Sequence, residues 1–129
     1  MESLDRFLLE DLKVYRTALD YVDSVIHLTR TFPSDFRFLK DQFRRAAASI
    51  SLNIAEGNGR TQPSDRNRFF VISRSSCCEC VPIIELCLRN GLINEEVQLQ
   101  LRLDVKEILT MLNGLVRRGV GNNKGQKRE

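Results

Sequence analysis

The chain has 129 residues, the length of a single domain, with 42% hydrophobic and 29% charged residues. Seven glycines, three prolines and 7% aromatic residues supply too few turn signals for an all-β sandwich, and the composition excludes collagen-like and disordered classes. The net charge of +3 is unevenly spread: residues 1–35 and 75–113 carry an acidic excess, and residues 36–74 and 114–129 a basic one.

The N-terminus, Met1-Glu2-Ser3-Leu4-Asp5-Arg6, leads into no apolar signal core, so a cytoplasmic protein is expected. No apolar run approaches the roughly 18 residues of a membrane span, and no membrane contact is expected. The first helical pattern is Leu12, Tyr15, Leu19, Val22 and Ile26, a stripe along one helix face. Phe32-Pro33 closes it, because a residue before proline avoids the helical region. Ser34 or Asp35 is placed to cap the next helix.

The second pattern is Phe36, Leu39, Phe43, Ala46, Ile50 and Asn53, widened by Ala47 and Ile54. It stops at Gly57-Asn58-Gly59, where glycine suits a left-handed helix cap. Pro63 or Ser64 then opens a third helix, with Phe69, Ser73, Ser76, Cys80, Ile83 and Cys87 on one face. Pro82 lies inside it, removes the bond to the Cys78 carbonyl and is expected to kink it. Asn90-Gly91 ends this helix. Asn94 caps the fourth, Glu95-Glu96 suit its positive end, and Val97, Leu101, Val105, Ile108, Leu112 and Leu115 form its stripe.

Four helices of about 22–28 residues with short links predict an all-α, up-down-up-down antiparallel four-helix bundle over residues 1–118. A flexible basic tail is expected over 119–129, where glycine, asparagine and charge take over. Small inner residues (Ala46, Ala47, Ser49; Ser73, Ser76, Cys80) predict a close approach of the two middle helices. Counting back from their turn sets Asn53 opposite Phe69-Phe70, Glu56 near Arg66 and Arg45 near Glu79, the last pair forming an interhelical bridge. Asn53 falls on an apolar stripe, so its amide needs partners; unpaired it costs ~1–3 kcal/mol. For this polar set, register and pairing specificity are expected rather than ligand binding.

Cys77, Cys78, Cys80 and Cys87 lie within eleven positions. A disulfide framework would spread over the chain, so reduced thiols are expected. Only three of them share a helix face, one short of a structural zinc site, and a mid-helix position does not activate a thiol. Cys77, Cys80 and Cys87 therefore read as small buried apolar residues, with no metal and no cofactor. His27 is the single histidine, no nucleophile–base pair is suggested, and Gly57-Asn58-Gly59-Arg60 follows a helix without a phosphate-loop lysine. The chain is expected to be no enzyme.

The run Gln42-Phe43-Arg44-Arg45-Ala46-Ala47-Ala48-Ser49-Ile50-Ser51-Leu52-Asn53-Ile54-Ala55-Glu56-Gly57-Asn58-Gly59-Arg60 resembles the signature of the 23S ribosomal RNA intervening-sequence proteins, also called the four-helix bundle protein family. That pattern reads Q-x-R-R-A-x-x-S-I-x-x-N-I-A-E-G, followed by an arginine. Asp11-Leu12, Phe32-Pro33 and Arg68-Phe69-Phe70 also match. Ser73-Arg74-Ser75-Ser76 and Glu79 stand where the family has A-R-G-S and a later glutamate. The resemblance spans about residues 7–118. It marks Arg45, Asn53, Glu56, Gly57, Arg74 and Glu79 as structural motif positions. Ser75, Cys77, Cys78, Cys80 and Pro82 depart from the pattern.

The resemblance implies a homopentamer of four-helix bundles, encoded within insertions in bacterial ribosomal RNA genes, with no catalytic activity. A similar fold serves as the accessory variability determinant of diversity-generating retroelements, where a pentamer binds reverse transcriptase and nucleic acid. Two basic blocks suggest contact with a polyanion, and a ring multiplies their field. The candidate phosphate contacts are Arg37, Lys40, Arg44, Arg60, Arg66 and Arg68, with Arg117, Arg118, Lys124, Lys127 and Arg128 as an arm. The leading expectation is an oligomeric RNA-binding or ribonucleoprotein-assembly module with weak sequence preference. The alternative is a protein-interaction scaffold, for example a reverse-transcriptase accessory protein.

Overall fold

A computed structural model of the chain describes residue 9 and the backbone of residues 12–128, with side chains through 116. Among the described residues there are four α-helices: α1 (Lys13–Thr29), α2 (Arg37–Asn58), α3 (Pro63–Arg89) and α4 (Glu95–Arg128), with a 3₁₀ turn at Ser34–Phe36. Each helix packs on its neighbour in sequence, and α1 packs on α4, which closes an antiparallel bundle. No described residue is in a strand.

The expected α2 stripe is the buried one, with Leu39, Phe43, Ala46, Ala47, Ile50 and Ile54 in the core and Phe36 and Asn53 half-buried at its edges. In α4, Leu101, Val105, Ile108 and Leu112 are buried as expected, Val97 and Leu115 are partly buried against the core, and Val116 is buried as well. The α1 stripe is rotated by one position. Val14, Ala18, Tyr21, Val25 and Thr29 are buried, whereas Leu19 is exposed and Leu12, Tyr15 and Val22 pack at the flank. The reason is geometric: α1 sits between α2 and α4, and the arc between two partners includes the small Ala18 and the polar Thr29. In α3 the correction is Phe70 for Phe69. Phe70 is buried and Phe69 is half-buried.

The helix ends also differ in part. Phe36 stands at the N-cap of α2 without a side-chain cap, so neither Ser34 nor Asp35 caps it. Pro63 opens α3. Asn94 caps α4, its Oδ1 accepting the Val97 N–H at 2.8 Å. At the end of α3 the left-handed residue is Gly91 (φ 73°). The Leu92 N–H donates to the Cys87 carbonyl at 2.9 Å and the Gly91 N–H to Leu88 at 3.1 Å, the paired bonds of a Schellman cap. Helix α3 continues unbroken through Pro82, which faces solvent beside exposed Cys78. The α4 backbone stays helical past Gly119 to Arg128, so the expected tail boundary is not marked by a helix end.

Helices α2 and α3 meet through small residues. Ser49 Oγ and Ser76 Oγ are 2.8 Å apart, and Ser73 Oγ donates to the Ile50 carbonyl of the other helix at 2.7 Å. Asn53 Nδ2 donates to the Ser49 carbonyl and to Ser49 Oγ at 2.8 and 3.0 Å, so its amide is satisfied one turn earlier on its own helix. At the end of this seam, a Cβ on Gly57 would sit 2.7 Å from Phe70 Cε1 and 3.0 Å from the Arg66 carbonyl. The glycine is required by the packing, since Gly59, the actual C-cap, is right-handed (φ −83°). Gly57→Ala is expected to cost about 1–3 kcal/mol by overpacking, measured by denaturant unfolding; an unchanged midpoint would contradict the close approach.

Candidate nucleic-acid interface

The turn between α2 and α3 gathers three of the basic candidates. The α2 carbonyls left open at its end accept the Gly59 and Arg60 N–H groups, from Ala55, Glu56 and Gly57, at 3.1–3.2 Å. Arg66, one turn into α3, donates Nη1 to the carbonyls of Asn58 and Arg60, both at 3.0 Å. Its guanidinium carbon lies 5.6 Å from the Phe70 ring centre. This arginine thus ties the turn together, a cation on the negative end of α2.

Two guanidinium groups lie over the Phe69 ring. Arg60 and Arg68 place their central carbons 4.8 and 4.4 Å from its ring centre. Arg60 Nη2 is 2.6 Å from Glu56 Oε2, and Asp65 lies 3.6 Å from Arg60 and 3.1 Å from Arg68. Two carboxylates therefore offset two of the three cations at this end. These ion pairs are solvent-exposed and worth about 0–1 kcal/mol each. Both guanidinium groups can exchange a carboxylate for a phosphate at small cost. Glu56, expected near Arg66, serves Arg60 instead.

The other candidates lie elsewhere. Arg44 Nε donates to Thr29 Oγ1 at 2.8 Å and its Nη2 to the Ile26 carbonyl at 3.1 Å, so it clamps the end of α1. Thr29 is fully buried and donates in turn to the Val25 carbonyl at 2.7 Å. Arg37 and Lys40 stand at the start of α2, about 30 Å from Arg60 at 1.5 Å per residue. The basic block of 36–74 is thus split between opposite ends of the bundle. Arg117, Arg118, Lys124, Lys127 and Arg128 lie on the helical backbone of α4, and their side chains lie outside the described residues. The Arg74–Asn113 hydrogen bond (3.2 Å) sets α3 antiparallel to α4, so the C-terminal run of α4 heads toward the turn that carries Arg60, Arg66 and Arg68.

Arg45 and Glu79 are both exposed, and no ion pair between them is formed. The register is right, since Ser49 meets Ser76, but both side chains point outward from the bundle. This corrects the expected bridge. Sequence reasoning missed the structural use of Arg44 and Arg66. Their only signal was position, Arg44 beside the α1 end and Arg66 one turn beyond a helix break.

Cys77, Cys80 and Cys87 are fully buried, Cys78 is exposed, and all four are free. Burial pushes the Cys77 and Cys80 thiols up to about 12 and Cys87 up to about 11. Burial also raises Tyr21 well above its ordinary value, its hydroxyl next to the Cys80 thiol. Among the described residues no group of three or more His, Cys, Asp or Glu side chains is placed to hold a metal, and no helix is long and apolar enough to cross a membrane.

The family described as 23S rRNA-intervening sequence protein matches residues 10–114. The chain belongs to that family. Its fold is similar to the crystal structure of a protein of unknown function, assigned to the S23 ribosomal protein family, from Bacteroides thetaiotaomicron VPI-5482. The TM-score is 0.75 at 21% identity, over 81% of this chain and 98% of that one. At that identity the likeness concerns the fold. No match is found among curated proteins. The intervening-sequence fold of this chain thus places Arg60 and Arg68 over Phe69, and Arg66 over Phe70, at its α2–α3 turn.

Two outcomes follow from the cysteines of this family member. At neutral pH, alkylation is expected to label one thiol per folded chain quickly, at Cys78, and three only on unfolding. The buried thiols keep their protons to higher pH than the unfolded value of 9.0. Their contribution to stability is complete below pH 9 and is lost as pH rises toward 11–12. The denaturant midpoint is expected to fall across that window; a flat profile would contradict their burial.

Proposed function

We propose that this intervening-sequence protein is a non-enzymatic module that assembles with copies of itself and holds RNA by its phosphates. The observation that carries this reading is the convergence at one end of the bundle. The α2–α3 turn brings Arg60, Arg66 and Arg68 together, and the basic C-terminal stretch of α4 runs toward the same end. Part of one basic block therefore lies at the end toward which the backbone of the other runs, and copies in an assembly multiply the field of that end. Two guanidinium groups already lie over Phe69, so its ring is not a free platform for a base. Contact through phosphates, with weak sequence preference, fits that geometry.

A salt series of binding to a structured RNA tests this. Arg60→Gln with Arg68→Gln removes two phosphate contacts and leaves Arg66, which holds the turn. The slope of log affinity against log salt is expected to flatten by about 1.5. An unchanged slope removes this end from the interface. The exposed apolar side chains on α2, α3 and α4 favour a second reading, a scaffold for a protein such as a reverse transcriptase. Binding to such a partner with no RNA affinity at low salt would favour the scaffold.

A further inference from the structure

Helix α4 sorts its charges by flank. Past the first turn, with its Glu95 and Glu96, the basic residues up to Val116 are Arg102 and Lys106. Both stand on the side that faces α3, beside Leu99, Leu103 and Leu109. The acids Asp104 and Glu107 stand on the other side, where they line a polar cavity with Asp20 and Ser24 of α1. A helix face that is merely solvated mixes the two signs, because opposite charges one turn apart support it. Here the two cations share a stripe with apolar side chains instead.

That stripe borders a groove of about 400 Å³, walled on the α3 side by Val81. Leu99 and Leu103 are 58% and 50% exposed. Arg102 and Lys106 lie one turn apart, both exposed, and neither has an ion pair with another described residue. The Arg74–Asn113 hydrogen bond fixes the register of the two walls, which puts Glu85 level with Arg102 and exposed Cys78 level with Leu109. Glu85 does not serve Arg102, because its carboxylate accepts from Arg89 Nε at 2.9 Å. Exposed leucines rimmed by unpaired charge mark an interaction site.

The walls decide what fits. Both are helices whose backbone groups are bonded internally, so the groove offers no donors or acceptors to an extended strand. RNA brings phosphates for Arg102 and Lys106 but no aliphatic side chain to cover Leu99 and Leu103. A helix brings its own backbone bonds, and from Leu99 to Leu109 the groove runs about 15 Å, nearly three turns at 1.5 Å per residue. We propose that this groove docks an amphipathic, acidic helix of a partner protein. Its aliphatic side chains lie against Leu99, Leu103 and Val81, and two carboxylates one turn apart meet Arg102 and Lys106. This names the partner class for the scaffold reading and rests on that reading; the RNA reading uses the α2–α3 end and stands apart.

The test uses the full chain and a labelled synthetic peptide of about 16 residues, long enough to be helical in water. It carries leucines at i, i+3, i+4 and i+7 with glutamates one turn apart beside them; a twin peptide has lysine for each glutamate. Binding is followed by fluorescence anisotropy and by the alkylation rate of Cys78, which a docked helix shields. The acidic peptide is expected to saturate the chain, and the basic twin to bind about tenfold more weakly. Leu103→Gln is expected to weaken the acidic peptide about tenfold. Arg102→Glu with Lys106→Glu is expected to reverse the preference toward the basic twin. All three residues are exposed, and circular dichroism checks that each variant folds. No saturable binding, equal binding of the two peptides, or a preference that survives the charge reversal would overturn the inference. So would a loss of oligomer mass in these variants, which would assign the groove to a second copy. A partner protein held equally by the unaltered chain and by both variants would overturn it too, and would leave the scaffold reading standing.

Discussion

The close approach of α2 and α3 is the constraint on which the rest of the molecule depends. A missing Cβ at Gly57 lets the Phe70 ring lie against the α2 backbone. Serine hydroxyls, short enough to bond across the gap, continue the contact through Ser49, Ser76 and Ser73. Larger apolar residues would separate the helices and slide their register. That register sets which residues share the outer face, so the exposed, level positions of Arg45 and Glu79 follow from it. It also fixes where α3 begins, and therefore where Arg66 meets the last carbonyls of α2.

Charge in this chain has two uses that composition does not separate. Arg44 and Arg66 are spent inside the fold, each on carbonyls at a helix end. Their desolvated hydrogen bonds make them clamps, and removing either leaves acceptors unpaired. Arg60 and Arg68 are held loosely, by exposed carboxylates and the face of Phe69. Such contacts orient a guanidinium without consuming it. The same turn therefore holds one structural cation and two exchangeable ones within a few residues.

Much of this was legible in the sequence. The α2 and α4 stripes are strong because each helix buries one arc lined by large apolar residues, and the Asn94 cap has a local mechanism. The α1 stripe was misread because two adjacent stripes compete there, and the buried one includes Ala18 and Thr29. Thr29 is buried because its hydroxyl bonds Val25 and accepts from Arg44, a partner fifteen residues away. Gly57 was correctly singled out, but for a backbone conformation it does not adopt; its packing partner lies on another helix. The grouping at the candidate site is likewise a product of tertiary structure. The sequence shows arginines near residues 60–68, but not the stack on Phe69, the clamp by Arg66 or the separation of Arg37 and Lys40 to the far end.

The central claim is that the Gly57–Phe70 contact holds the two middle helices in register. A double-mutant cycle measures it directly, with Gly57→Ala, Phe70→Leu and the pair compared by denaturant unfolding. If the ring occupies the space a Cβ needs, the smaller leucine relieves the alanine, and the two changes couple by about 1 kcal/mol or more. Additive effects would contradict the contact, and with it the register from which the arginine turn is built.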